Sequence, residues 1–198
     1  LMAQNEGPTK AKSGHTNNNK FKQLYDEFAT PNMFRTASGA PGPAYYQQQA
    51  DYKMQLVIDD ATQKISGFET LTYTNTSPDA LPYLWLQLDQ NIYKKDSRAS
   101  ATTTETGGRW ANGGFTNGYE ISNLQIESAG VYAPATNTVT NDTRMQVWLK
   151  NPLAKGASVR LKMNYKFIIP EYGTDRMGRL NTEKGMIYEV AQWFPRVA

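Results

Sequence analysis

The side chains that hydrolases most often use for chemistry are scarce in this chain. It contains no Cys and a single His, His15. Zinc enzymes usually take two or three His ligands, and serine or cysteine hydrolases need a His base. His15 lies in the polar stretch 14–19, whose composition predicts a solvated tail residue. The sequence therefore predicts no catalytic residue and no metal site in this chain.

Two further motifs have residue types that can do chemistry, but each fits a turn or a loop better. Asp59 and Asp60 are adjacent, whereas the carboxylates of an acid–base pair must face each other across a site. The Gly-rich stretch 107–114 lacks the Lys and the strand-to-helix context of a phosphate-binding loop. We predict a turn at the first motif. At the second we predict a flexible loop that exposes Arg109 and Trp110 to a ligand or another domain.

The aromatic residues allow a second kind of chemistry, the stacking of sugar rings. Four Trp residues are available, and Trp110 lies in the Gly-rich loop. Trp85 and Trp148 lie within strand-like patterns, which favours core or half-buried positions for both.

Composition limits the partners that the chain can have. The formal net charge is only +3, and the Lys and Arg residues are scattered, so no nucleic-acid footprint is predicted. No apolar run approaches the roughly 18 residues that a membrane-spanning helix needs. Hydrophobic residues at 39% and aromatic residues at 12% suffice for one sizeable core.

The elements that must position these residues are strands. Alternation of apolar and polar residues predicts an antiparallel all-β sheet or β-sandwich, because turns and not helices separate the strands. The predicted strands are Tyr52–Ile58, Ile65–Asn75, Leu81–Leu88, Tyr119–Glu127, Met145–Leu149 and Val159–Ile169. The stretch 94–118 is long, polar and Gly-rich, which is typical of a functional or disordered loop. Residues 151–157, with Pro152 and Gly156, are predicted as a loop.

The residues before this sheet are predicted to be separate from it. Residues 1–19 form a flexible tail, and residues 20–44 a short helix followed by a linker rich in Pro and Gly. Residues 45–198 form the β domain. The first three residues are either the end of a secretory signal cut at Ala3 or residues added for expression. The end of the chain just after a strand-to-Pro junction predicts that it was cut from a longer protein.

Three segments stand in an order that resembles a known family. They are the strand pair Tyr52–Asp59 and Ile65–Asn75, the stretch Ser77–Asn91, and Gln192–Pro195. Together they resemble the N-terminal domain of the M1 family of zinc metallopeptidases, in particular bacterial members related to aminopeptidase N and leukotriene A4 hydrolase. The resemblance covers roughly residues 45–198.

This resemblance implies a saddle-shaped, mostly antiparallel β domain that packs on a thermolysin-like catalytic domain. There, zinc held by a His-Glu-x-x-His helix and a further Glu would polarise water and the peptide carbonyl. No His-Glu-x-x-His occurs in this sequence, so zinc is expected only in the catalytic domain. Gln192 is the nearest match to a family Gln that holds the α-amine of the peptide substrate. The expected function is that of a non-catalytic domain forming one wall of the substrate cleft, in a secreted, periplasmic or cell-envelope protein.

Two other functions fit the same residues. The chain is also consistent with an independent β-sandwich module that binds carbohydrate through exposed Trp side chains. A third possibility is a structural domain whose catalytic partner has lost its zinc ligands.

Overall fold

A computed structural model describes residues 31–102, 115–128, 130–172 and 176–198. The chain divides into two compact units, Leu1–Tyr45 and Tyr46–Ala198. In the first unit, the described residues form turns with isolated bridges from Arg35 to Asn32 and to Pro41. The predicted tail 1–19, the predicted helix 20–30 and the Gly-rich loop 107–114 lie outside the described residues.

The second unit is built from strands, which confirms the all-β prediction. The strands are β1 Gln49–Asp59, β2 Lys64–Thr74, β3 Leu81–Gln87, β4 Glu120–Ser128, β5 Val131–Pro134, β6 Thr138–Asn141, β7 Arg144–Leu153, β8 Ser158–Ile168, β9 Met177–Thr182, β10 Gly185–Val190 and β11 Arg196–Val197. Between β3 and β4 lie a 3₁₀ turn, Asp89–Tyr93, and a short helix α1, Arg98–Thr102. None of the helices among the described residues has the length and apolar character needed to cross a membrane.

The strands form three antiparallel sheets. The larger sheet has five strands in the order β1-β2-β8-β4-β5, and the second has four in the order β11-β3-β7-β6. Strands β9 and β10 form a separate hairpin. The buried apolar cluster contains residues of both larger sheets, so they share one core in the manner of a β-sandwich.

Strict alternation places one face of each central strand in this core. On β2, Leu71 is fully buried, and on β8 Leu161 lies directly opposite it and is fully buried as well. On β3, Leu84 and Leu86 point inward. Each such side chain contributes about 1.5–3 kcal/mol through removal of apolar surface from water. Trp85 alternates with them and is 38% exposed on the outer face, as is Trp148 on β7, so neither lies in the core.

The structure differs from the sequence-based prediction in strand β7 and in the stretch 94–118, and it contains strands that were not predicted, among them β5, β6 and β9. Strand β7 continues to Leu153, through part of the predicted loop 151–157. Its pairing with β3 shifts between Leu81 and Tyr83, and the irregularity contains Pro82 and Pro152, neither of which can donate a ladder hydrogen bond. The helix α1 lies in the stretch 94–118, where no regular element was predicted.

One glycine is required by the close approach of two central strands. Gly67 of β2 lies opposite Tyr165 of β8. A Cβ atom at residue 67 would lie 2.3 Å from the Cζ atom of the Tyr165 ring. The ring of Tyr165 therefore lies directly over the glycine backbone.

We expect Gly67→Ala to destabilise the domain by about 1–3 kcal/mol, because the added methyl group overpacks the core against the Tyr165 ring. Chemical denaturation measures the change. Gly178→Ala is the matched control, since its Cβ would come no closer than 3.4 Å to any atom. Equal stability of the Gly67→Ala variant and the wild type would show that Tyr165 does not occupy this position.

Candidate functional site

The turn between β10 and β11 contains Gln192, the residue predicted to bind substrate. Gln192 has a φ of +49°, in the left-handed region, which costs a non-glycine residue about 1–2 kcal/mol. Such strain persists only where surrounding contacts impose it, and it is concentrated at functional sites. The residue itself is exposed. An exposed amide is thus carried on a backbone held in a strained conformation.

Two buried donors hold this backbone. The carbonyl oxygen of Gln192 accepts a hydrogen bond from the Tyr119 hydroxyl at 3.0 Å and from Nε2 of Gln90 at 3.1 Å. Tyr119 is 6% exposed and Gln90 is 1% exposed. Because buried side chains have few alternative rotamers, these two bonds fix the carbonyl and hence the direction of the turn.

The two donors are themselves held by Asn91, which follows Gln90 in the 3₁₀ turn. Oδ1 of Asn91 accepts a hydrogen bond from the backbone N–H of Tyr119 at 3.0 Å, and Nδ2 donates to the carbonyl of Asp142 at 2.8 Å. Gly118 approaches this amide closely and has a φ of +65°. Asn91 thus ties together the segments that carry Gln90 and Tyr119.

The residues after Gln192 are anchored on the same side of the domain. Arg196 forms an ion pair with Asp89, with Nη2 3.1 Å from Oδ2. The N–H of Val197 donates to the Tyr52 hydroxyl at 2.8 Å. The Phe194 and Tyr52 rings meet edge to face with centroids 5.2 Å apart. The turn is therefore fixed at the Gln192 carbonyl and at the residues that follow it, and Gln192 itself is exposed to solvent.

A buried carboxyl group, that of Glu69, lies near these tyrosines. Glu69 is 0% exposed, on the inner face of β2. Within the described residues, neither of its carboxyl oxygens has a hydrogen-bond partner, and the Tyr165 hydroxyl has none either. Burial raises the pKa of Glu69 to about 8. The group is therefore protonated at neutral pH, the state that a low-dielectric environment favours.

The tyrosines around Glu69 stay protonated over the physiological range. Burial raises the pKa of Tyr119 and of Tyr165. Proximity to the Asp89 carboxylate raises the pKa of Tyr119 further, and proximity to the Glu69 carboxyl raises that of Tyr165. The pKa of Tyr52 is raised mainly by burial as well. The Tyr119 hydroxyl therefore keeps its proton near neutral pH and donates its hydrogen bond to the Gln192 carbonyl throughout this range.

Asp59 and Asp60, the adjacent acidic residues, lie at the turn between β1 and β2. The Asp59 carboxylate accepts hydrogen bonds from the Thr62 hydroxyl at 2.7 Å and the Ala61 N–H at 3.0 Å. The Thr62 hydroxyl is the main reason that the pKa of Asp59 is lowered. Asp60 instead accepts from the Tyr188 hydroxyl at 2.6 Å, which links the β1–β2 turn to β10. The two carboxylates act separately.

No residues of the described structure fit a zinc centre. No group of three or more His, Asp or Glu side chains within it is placed to hold a metal ion. His15, Arg109 and Trp110 lie outside the described residues. We therefore derive no chemical step through a metal from this chain.

Comparison with known proteins gives no family assignment. No protein-family model matches the chain, and the search of curated proteins finds no match. The resemblance to zinc metallopeptidases remains a prediction from three sequence segments.

Sequence reasoning missed Gln90 and Tyr119 as supports of the site. Gln90 is separated from Gln192 by 102 residues and Tyr119 by 73 residues, so no local pattern connects them. The available signal was the polar triplet Asp89-Gln90-Asn91 placed directly after an apolar strand. Each member of the triplet bonds to another segment.

We expect stability to depend on pH through Glu69. The ordinary pKa near 4.5 applies to the unfolded chain, against about 8 in the fold. Protonation of Glu69 stabilises the fold fully below the pKa that Glu69 has in the unfolded chain. This stabilisation is lost as pH rises through the pKa that Glu69 has in the folded domain. The free energy of unfolding should therefore fall with pH in this window, by at most about 1.4 kcal/mol per pH unit.

Urea denaturation across this pH window measures the slope. Glu69→Gln removes the titrating group and should flatten the profile. Glu120→Gln is the control, because Glu120 is exposed and paired with Lys166 at 2.9 Å on the surface. An unchanged slope in the Glu69→Gln variant would assign the pH dependence to other groups.

Proposed function

We propose that this chain is the non-catalytic N-terminal β domain of a zinc-dependent, aminopeptidase-like metallopeptidase, in which it forms one wall of the substrate cleft. Its partners would be a thermolysin-like catalytic domain of the same protein, which holds the zinc, and a peptide substrate. The parent would be a secreted, periplasmic or cell-envelope protein. The observation that carries the proposal is the exposed Gln192 side chain on a turn fixed by buried donors.

The chemistry of an amide suits the task of holding an N-terminal amine. A protonated α-amine is a donor of three hydrogen bonds and carries a positive charge, and the amide oxygen of Gln accepts such a bond without competing for the proton. A hydrogen bond to a charged group contributes about 1.5–3 kcal/mol. This contribution discriminates a free amine from a blocked one.

The fixed backbone explains how one exposed side chain can position a substrate. A binding group must lie within about 0.5 Å of its productive position, and this requires support from neighbouring residues. Gln90 and Tyr119 give this support through the carbonyl of Gln192, and Asp89 and Tyr52 give it through the residues that follow. In this proposal the domain binds and orients the amine, while bond cleavage belongs to the partner domain.

The first test uses the parent protein. Gln192→Ala should lower kcat/KM for an aminoacyl anilide with a free amine by at least about tenfold, because a hydrogen bond to a charged group is lost. Gln55→Ala, on the exposed part of β1, is the matched control and should leave the rate unchanged. Equal activity of the Gln192→Ala variant and the wild type would contradict the role of Gln192. A parent sequence without His-Glu-x-x-His would overturn the peptidase activity.

A second test separates positioning from simple stability. Tyr119→Phe removes one of the two donors to the Gln192 carbonyl, so we expect KM for the free-amine substrate to rise about fivefold with little change in kcat. Tyr165→Phe removes a buried hydroxyl that makes no bond to the turn and should leave KM unchanged. Identical effects of the two variants on KM would show that Tyr119 contributes only to folding.

A further inference from the structure

The outer face of the four-stranded sheet carries a pocket that the proposed function does not use. The pocket has a volume of about 290 Å³ and is lined by Trp85, Arg98, Asn141, Asp142, Thr143 and Arg144. These residues come from β3, from α1, and from the end of β6, the start of β7 and the turn between them. We call it the outer-face pocket.

The register of the sheet explains why these side chains meet. Trp85 lies opposite Gln146, and Gln87 lies opposite Arg144, so Trp85 and Arg144 are diagonal neighbours on one face. The residues that alternate with them, among them Leu86 and Met145, are buried in the core. The pocket is thus built on a rigid sheet and closed on one side by the start of α1.

The indole of Trp85 is an exposed aromatic surface with support from its neighbours. It is 38% exposed and meets the Tyr83 ring edge to face, with centroids 6.0 Å apart. Tyr83 in turn contacts Trp148 at 4.9 Å. A rigid aromatic ring beside a few polar groups is the usual composition of a small-molecule site. Pyranose rings stack on such surfaces through their C–H faces.

The charges around the pocket select an anion of low charge. Arg98 and Arg144 are exposed, and the ion pairs within the described residues involve Arg160, Lys166 and Arg196 but neither of these two. Two guanidinium groups beside an indole favour the binding of a ligand that carries a carboxylate. The Asp142 carboxylate also lines the pocket, where it accepts the Arg98 N–H at 3.3 Å. The negative charge of Asp142 disfavours binding of a phosphate dianion, and its carboxylate oxygens can accept hydrogen bonds from sugar hydroxyls.

We propose that the outer-face pocket binds an acidic sugar, a uronic acid residue within an oligosaccharide. The pyranose ring stacks on Trp85, the carboxylate pairs with Arg98 and Arg144, and the hydroxyls bond to Asn141, Thr143 and Asp142. This inference does not rest on the peptidase proposal, because the pocket lies on other residues than the Gln192 turn.

Titration calorimetry of the full 198-residue chain tests the proposal. The probe is trigalacturonic acid, and its methyl ester is the matched neutral ligand. The acid should bind, binding should weaken as salt is added, and the ester should bind at least about tenfold more weakly. Arg144→Gln, Arg98→Gln and Trp85→Ala should each weaken binding about tenfold. Lys155→Gln is the control for a lost charge outside the pocket and should bind as the wild type does.

Three outcomes would overturn the proposal. The first is the absence of binding by the acid to a chain whose fold is verified by circular dichroism. The second is equal binding of acid and ester, which would remove the role of the two arginines. The third is tighter binding of a short oligothymidylate that responds to the same variants, which would assign the pocket to single-stranded nucleic acid.

Discussion

The pairing of β2 with β8 is the constraint on which the rest of the β domain depends. It runs without interruption from Lys64 opposite Ile168 to Thr74 opposite Ser158. Because side chains alternate between faces, a slip by one residue would turn the entire inner face toward solvent. This register places Gly67 opposite Tyr165, and the Tyr165 ring then lies 6.0 Å from the ring of Tyr119. Tyr119 donates a hydrogen bond to the Gln192 carbonyl. The register of β2 and β8 therefore affects the position of the candidate site through the contact between the Tyr165 and Tyr119 rings.

Glu69 shows how far this arrangement departs from a purely apolar core. A buried, protonated carboxyl group without a partner among the described residues lowers stability, since its oxygen atoms lose their hydrogen bonds to water without compensation. Its position on β2, between Gly67 and Leu71 on the inner face, places it near Tyr165 and near Tyr119, whose hydroxyl bonds to the turn. Buried polar groups lie near the Gln192 turn, in Tyr119 and Gln90, and also elsewhere in the domain, in Asn75, Ser77 and Ser97.

The sequence predicted the long strands and missed what depends on distant contacts. Alternation over seven or more residues identified β1, β2 and β8. Strands β2 and β8 bury one face, whereas β1 alternates between half-buried and exposed positions in its first half only. Strands β5 and β6 have only four residues each and present little apolar surface, so periodicity could not reveal them.

The same limit applies to the candidate site. Gln192 was found through resemblance, whereas Gln90 and Tyr119 are brought to it by the tertiary fold. Likewise, alternation placed Trp85 in a strand, but its meeting with Arg98 and Arg144 depends on the pairing of β3 with β7 and on the position of α1.

We propose that the Gln192 turn holds the substrate amine in a larger metallopeptidase. A crystal structure of the parent protein with a bound peptide analogue that has a free α-amine tests it most directly. We expect the Gln192 amide oxygen to lie within about 3 Å of the amine nitrogen, with Tyr119 and Gln90 still bonded to the Gln192 carbonyl. An amine held entirely by other residues, with Gln192 outside hydrogen-bond range, would contradict the account.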